Sequence, residues 1–248
     1  MDELRNNPQI IELLETLGNN GMQKEKGEVS ALVSYIGDME QTLSVMLSEM
    51  QEMRKEVNMI HNSSVKAKCE NLIQTADEKI RQGISTIGKA KNNLIASAAN
   101  AVKVFKEKGK EALQNAVKAM KIPETLDKLG KVFHSFAVSM NASVQNVQNA
   151  RMELGGAKTH LINAGRFFFG KAAKENELVK HDRGMLARMQ NLFAKMSNGF
   201  SALEQKSLNL ADKLRYNRIK DSVKADLDFF NGKTTEKDTP MPVKDNVR

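Results

Sequence analysis

Tryptophan is absent from this chain, tyrosine occurs twice, and cysteine once, at Cys69. A single cysteine excludes a disulfide within the chain and any metal site built from several thiolates. Nothing beside Cys69 in the sequence would activate it, so it reads as a buried or inert thiol. Proline is nearly as scarce: there are four, and Pro240 and Pro242 fall in the last nine residues. Long proline-free stretches rich in Ala, Leu, Met, Lys, Glu and Gln favour helix. The alternating runs of Val, Ile, Thr and Tyr that mark strands are missing. No apolar run reaches about 18 residues, so no transmembrane segment is expected. The opening residues, MDELRNNPQ, lack the basic and apolar regions of a signal peptide. With the lone cysteine, they point to the cytoplasm.

The motifs of common catalytic sites are also missing. GxxxxGK[ST], GxGxxG and GxSxG do not occur, which removes the phosphate-loop, dinucleotide and serine-hydrolase readings. The four histidines, His61, His134, His160 and His181, have no His or Cys three or four residues away, the spacing a helical metal site needs. They read as surface or boundary residues. No catalytic residue, cofactor or metal ligand is assigned, and the chain is expected not to be an enzyme.

What is present is charge and periodicity. The net charge of +8 is uneven: residues 1–60 carry −6, residues 61–121 carry +7, and the remainder +7. An acidic first arm beside a basic second arm suggests two helices that attract each other. The other reading is a basic surface free for a polyanion.

The all-α reading rests on stripes. Asn7-Pro8 starts a short helix that ends at Leu17-Gly18, and a loop follows to about residue 27. A second helix is expected over 28–62. Its seam of Val29, Leu32, Ile36, Met39, Leu43, Met46, Met50, Met53, Val57 and Ile60 alternates steps of three and four, as left-handed coiled-coil packing requires. From Cys69 to Ile122 the period drifts towards eleven residues, with Lys91 and Gly109 interrupting it. After Pro123 a heptad stripe returns: Leu126, Leu129, Phe133, Phe136, Met140, Ser143, Val147, Ala150, Leu154, Ala157, Leu161, Ala164, Phe168. Gly155-Gly156 sits inside it as a site for a kink. A last helix spans roughly Gly184 to Phe230, with a wider apolar face. The domains expected are a short N-terminal helix and loop (1–22), an elongated antiparallel bundle of a few very long helices (23–230), and a disordered polar tail (231–248).

One segment, AANAVKVFKEKGKEALQNAVKAM from Ala98, is a basic amphipathic helix. Lys103, Lys106, Lys108 and Lys110 are its candidate contacts for an anionic surface, either nucleic acid or a peripheral membrane face. The alternative is that they are a solvated face, or pair with the acidic arm 25–56.

The phrases VSALVSYIGDMEQTL (29–43), KAKCENLI (66–73), NAVKVFKEKGKEAL (100–113) and HLINAGRFFFGK (160–171) resemble a helical family defined as a domain of unknown function. The resemblance covers roughly residues 8–215. It implies a bacterial cytoplasmic protein in the setting of mobile or conjugative elements of anaerobic gut bacteria. It transfers no activity, ligand or functional residue. The function expected is a non-enzymatic interaction or scaffold protein that binds itself or other helices. The alternative is a basic accessory protein of a mobile element that contacts DNA or a membrane surface.

Overall fold

A computed structural model describes residues 4–60, 63–169, 171–173 and 184–235. Among these residues there is no strand, and the chain is all-α. After a 3-10 turn at Leu4–Asn6 come α1 (Pro8–Asn19), α2 (Gln23–Asn58), α3 (Ser63–Lys108), α4 (Lys110–Ala119), α5 (Ile122–Phe168) and α6 (Met185–Thr235).

The local signals explain most boundaries. The Asn7 side chain accepts hydrogen bonds from the amides of Gln9 and Ile10, with Pro8 in the first turn, so α1 starts where the Asn-Pro pair predicts. The expected loop to residue 27 is shorter: Gly21 turns the chain at φ 70 and α2 begins at Gln23. The expected helix from Cys69 to Ile122 is two helices. Gly109, at φ 80 and ψ −164, occupies backbone that a side chain would strain, and it separates α3 from α4. Lys121 takes a left-handed conformation, φ 47 and ψ 50, just before α5. α5 is continuous across Gly155 and Gly156. α6 is described through Thr235, and the rest of the expected tail lies outside the described residues.

Ion pairs and contacts set the topology. Glu40 meets Lys91 and Arg54 meets Asp77, so α2 and α3 run antiparallel. His134 meets Glu204, and Ser197 donates to the Ala137 carbonyl, so α5 and α6 are antiparallel too. Lys68 of α3 approaches Glu153 of α5, and Lys79 of α3 lies over the Phe136 ring, which closes an up-down-up-down four-helix bundle. α1 flanks α2 and α3. Every seam residue of α2 from Val29 to Val57 is buried, and so are Val33 and Tyr35 on an adjoining face. α2 therefore faces several neighbours rather than one. Mid-bundle, Phe133, Phe136 and Phe200 pack with ring centroids 5.4–6.2 Å apart.

Among the described residues, the acidic arm finds most of its cations on α6, not on the basic second arm. Glu28, Asp38, Glu49 and Glu56 of α2 pair with Arg218, Lys206, Lys195 and Arg188. Steps of 10, 11 and 7 residues on α2 meet steps of 12, 11 and 7 on α6, so the two ladders stay in register over about eight turns. From α3 the arm receives Lys91 alone among the described residues.

Candidate interaction surface

α5 outruns its neighbours at one end of the bundle. Its stripe is buried from Leu126 through Val147, where α3 and α6 cover it. α6 begins at Met185, beside Gly155 and Lys158. α2 ends at Asn58 on the same end. Beyond that level the stripe keeps its seven-residue register into solvent: Leu154, then Leu161 at 78% exposure, then Phe168 at 88%. Phe167 and Phe169 are 83% and 82% exposed, and Met152 and Ile162 are exposed as well. An aromatic side chain offers roughly 150–250 Å². Leu154, Leu161 and Phe168 share one face, with Phe167 and Phe169 turned to either side of its end, so this arm leaves a run of apolar side chains in water rather than a single scattered one.

Two clefts adjoin the root of this arm. One, of about 580 Å³, lies between Cys69 and Leu72 of α3, Val147 and Ala150 of α5, and Leu186 and Met189 of α6. A smaller one of about 360 Å³ continues from it past Val65, Leu154 and Leu186 towards Ile60. Polar groups at the larger cleft include Asn146, Asn149 and the Lys68–Glu153 pair at 3.9 Å. Cys69 is 2% exposed, and burial, with Glu70 adding to it, pushes its thiol above the ordinary range. The thiol is thus protonated at neutral pH.

The lysines singled out from the sequence sit at the opposite end. Lys103, Lys106 and Lys108 close α3, Lys110 opens α4, and all four are exposed. Lys106 Nζ is 2.7 Å from Glu12 Oε1 of α1, outside the acidic arm 25–56. Lys103, Lys108 and Lys110 make no ion pair among the described residues. His134 Nδ1 is 3.0 Å from Glu204 Oε1 on the surface, His160 is exposed, and His61 and His181 lie outside the described residues. No helix among the described residues is long and apolar enough to cross a membrane.

The exposed end of α5 escapes a periodicity reading because Phe168 falls in the seam register. The signal that marks it is the run Phe167-Phe168-Phe169. Consecutive helical residues point about 100° apart, so no single neighbouring helix covers all three.

The chain belongs to a family of unknown function (DUF6674), whose model matches residues 6–247 and so takes in the tail beyond residue 215 as well. No curated protein and no solved structure matches it.

Proposed function

We propose that the protein is a non-enzymatic helical scaffold that associates, with itself or with another protein, through the projecting arm of α5. The observation that carries this reading is the heptad stripe that continues past the bundle with no described helix to cover it. An apolar face of this size is costly in water at roughly 25 cal/mol per Å², and a partner helix removes that cost. The paired clefts at the root of the arm add a concave apolar border that such a partner would enter.

A photo-reactive phenylalanine at position 161 of the full chain, activated in cells, is expected to give one discrete protein adduct. The same probe at exposed Val138 serves as the control, and Phe168→Glu should abolish the adduct. A chain that gives no discrete adduct from position 161 overturns the proposal.

A second reading draws on Lys103, Lys108 and Lys110, which are exposed and make no ion pair among the described residues: a basic accessory protein contacting DNA or an anionic membrane surface. Three phosphate contacts would give a log–log salt slope near about −3. Absence of binding to both duplex DNA and anionic vesicles at physiological ionic strength ends this reading.

A further inference from the structure

We infer that the occupant of the α5 arm is the same arm of a second copy of this chain, laid antiparallel in a closed two-fold dimer. This rests on the reading of the arm as an association surface and names its partner. The size pattern of the seam carries it. Beyond the bundle the seam alternates large and small: Leu154, Ala157, Leu161, Ala164, Phe168. All five are exposed. The leucines and Phe168 hold one seam position of the heptad, and the alanines hold the other. When two heptad helices pair antiparallel, each core layer joins one position with the other. Leu161 then lies on the partner's Ala164 and Phe168 on the partner's Ala157, with the same two layers repeated about the dyad. Every layer holds one large and one small side chain, so the two faces interdigitate. The arm is complementary to its own reverse.

The bundle excludes the parallel alternative. There, Leu161 would meet Leu161 and Ala164 would meet Ala164, large on large and small on small. Both bundles would also stand at the same end of the pair. Each α5 would then need the space beside the other's seam that α3 and α6 fill from Leu126 to Val147. In the antiparallel pair the bundles stand at opposite ends. Phe168 reaches the partner's Ala157, at the level of the cleft lined by Gly155, Lys158 and Met185. The layers run from Ala157, beside the start of α6, to Phe168, the end of α5. The pair thus uses the free length of the arm, about 17 Å at 1.5 Å per residue.

The placement of charge permits this pairing. Residues 154–169 contain Lys158 and Arg166 and no acidic residue. Lys158 flanks the seam opposite the partner's Gly165, where no side chain competes for the space. In this register the two copies of Lys158 sit about 13 Å apart along the axis, beyond the screening length of roughly 8 Å at physiological ionic strength. Arg166 falls on the far side of the helix from the seam, and its Nε donates to the Ala172 carbonyl at 2.7 Å. On the other flank His160 meets the partner's Phe167, a ring that is 83% exposed in the single chain. Both copies contribute the same surface, so the contact closes on itself and stops at two.

Sedimentation velocity of the full chain should show a monomer–dimer equilibrium that stops at twice the monomer mass. Ala164→Leu enlarges the apolar face, yet should weaken the dimer about tenfold or more, because the new side chain meets the partner's Leu161. Exchanging the two residues, Leu161→Ala with Ala164→Leu, restores one large and one small side chain in each layer. The exchanged chain should regain most of the lost affinity. Both positions are exposed, so the core stays intact, which circular dichroism checks. The probe at position 161 should give an adduct of twice the chain mass. An Ala164→Leu chain that associates as tightly as the wild type or more tightly, as a merely sticky or parallel arm would, overturns the inference. So does an exchanged chain as weak as Ala164→Leu, a wild type that grows past the dimer, or one that stays monomeric at every concentration. If the wild type stays monomeric while the probe at position 161 captures a different protein, the interaction reading stands and this one falls. If there is no adduct at all, both fall.

Discussion

The Tyr35 hydroxyl of α2 donates to the main-chain carbonyl of Leu203 on α6 at 2.6 Å, inside the core. Burial pushes this phenol up from 10.0 to about 12; Asp38 adds to the shift and a hydrogen bond with Ser207 opposes it. The folded state thus holds the proton more tightly than the unfolded state does. Its contribution to stability is complete below pH 10 and is lost as pH rises from 10 to about 12.

Tyr35→Phe should therefore cost about 1 kcal/mol at pH 8 through the lost hydrogen bond. At alkaline pH the order should change. The wild type loses up to roughly 2–3 kcal/mol across the window, at about 1.4 kcal/mol per pH unit, and the variant lacks that loss. Urea unfolding followed by circular dichroism at pH 8, 10 and 11.5 measures the gap. A gap that stays constant to pH 11.5 refutes the assignment.

The ladder between α2 and α6 is graded by burial. Glu28 is 4% exposed, and Arg218 grips both its oxygens at 3.2 and 2.6 Å. Arg218→Ala strands a buried carboxylate and should cost about 2–3 kcal/mol, near the lower end for broken buried pairs because the guanidinium is partly solvated. Lys195 and Glu49, 3.8 Å apart and largely exposed, are a different case. Lys195→Ala should change stability by no more than about 0.5 kcal/mol. Equal midpoint shifts in urea for the two variants would contradict this account.

Two glycines of α3 should respond with opposite signs. A Cβ at Gly83 would lie 3.0 Å from Leu43 Cδ1 and 3.3 Å from Phe136 Cε2, at the crossing of α2, α3 and α5. Gly83→Leu overpacks that crossing and should cost about 2 kcal/mol. Gly88, one turn and a half further on, has open space around its Cα. Gly88→Ala there should add about 0.5–1 kcal/mol by helix propensity alone. Thermal melts that shift in the same direction would refute the crossing geometry.

These residues also show what is legible in a sequence. The α2 seam is readable because steps of three and four put Leu32 through Met53 on one face, whatever covers it. The α5 stripe is readable for the same reason, but its burial is not. Leu126 and Leu161 occupy equivalent positions, and one is buried while the other is exposed, because α6 starts at Met185. Periodicity states that a face is apolar and leaves open how far a neighbour reaches. The pairing of Glu28 with Arg218 was invisible for a related reason: the partner lies 190 residues away, and net charge per segment favoured α3 instead. Gly109 could be recognised as an interruption, but its φ of 80, which turns an interruption into a helix end, could not.

Cys69 offers a direct reading of the cleft at the root of the α5 arm. The thiolate is the species that attacks an aromatic disulfide reagent, and here the thiol is both covered and held protonated by burial. Modification in the native protein at pH 7.5 should be far slower than in urea, and should rise with pH beyond the point where an ordinary thiol levels off. The site lines the wall between α3, α5 and α6, so the slow phase reports local opening of that end of the bundle rather than global unfolding. Substitutions that destabilise the distant Glu28–Arg218 end should leave the rate nearly unchanged as long as the chain stays folded. Leu186→Ala, which widens the cleft beside Cys69, should accelerate it. A thiol that reacts rapidly and stoichiometrically in the native state at neutral pH would show that this wall stands open, and the cleft would then be a channel to the core rather than a border of the arm.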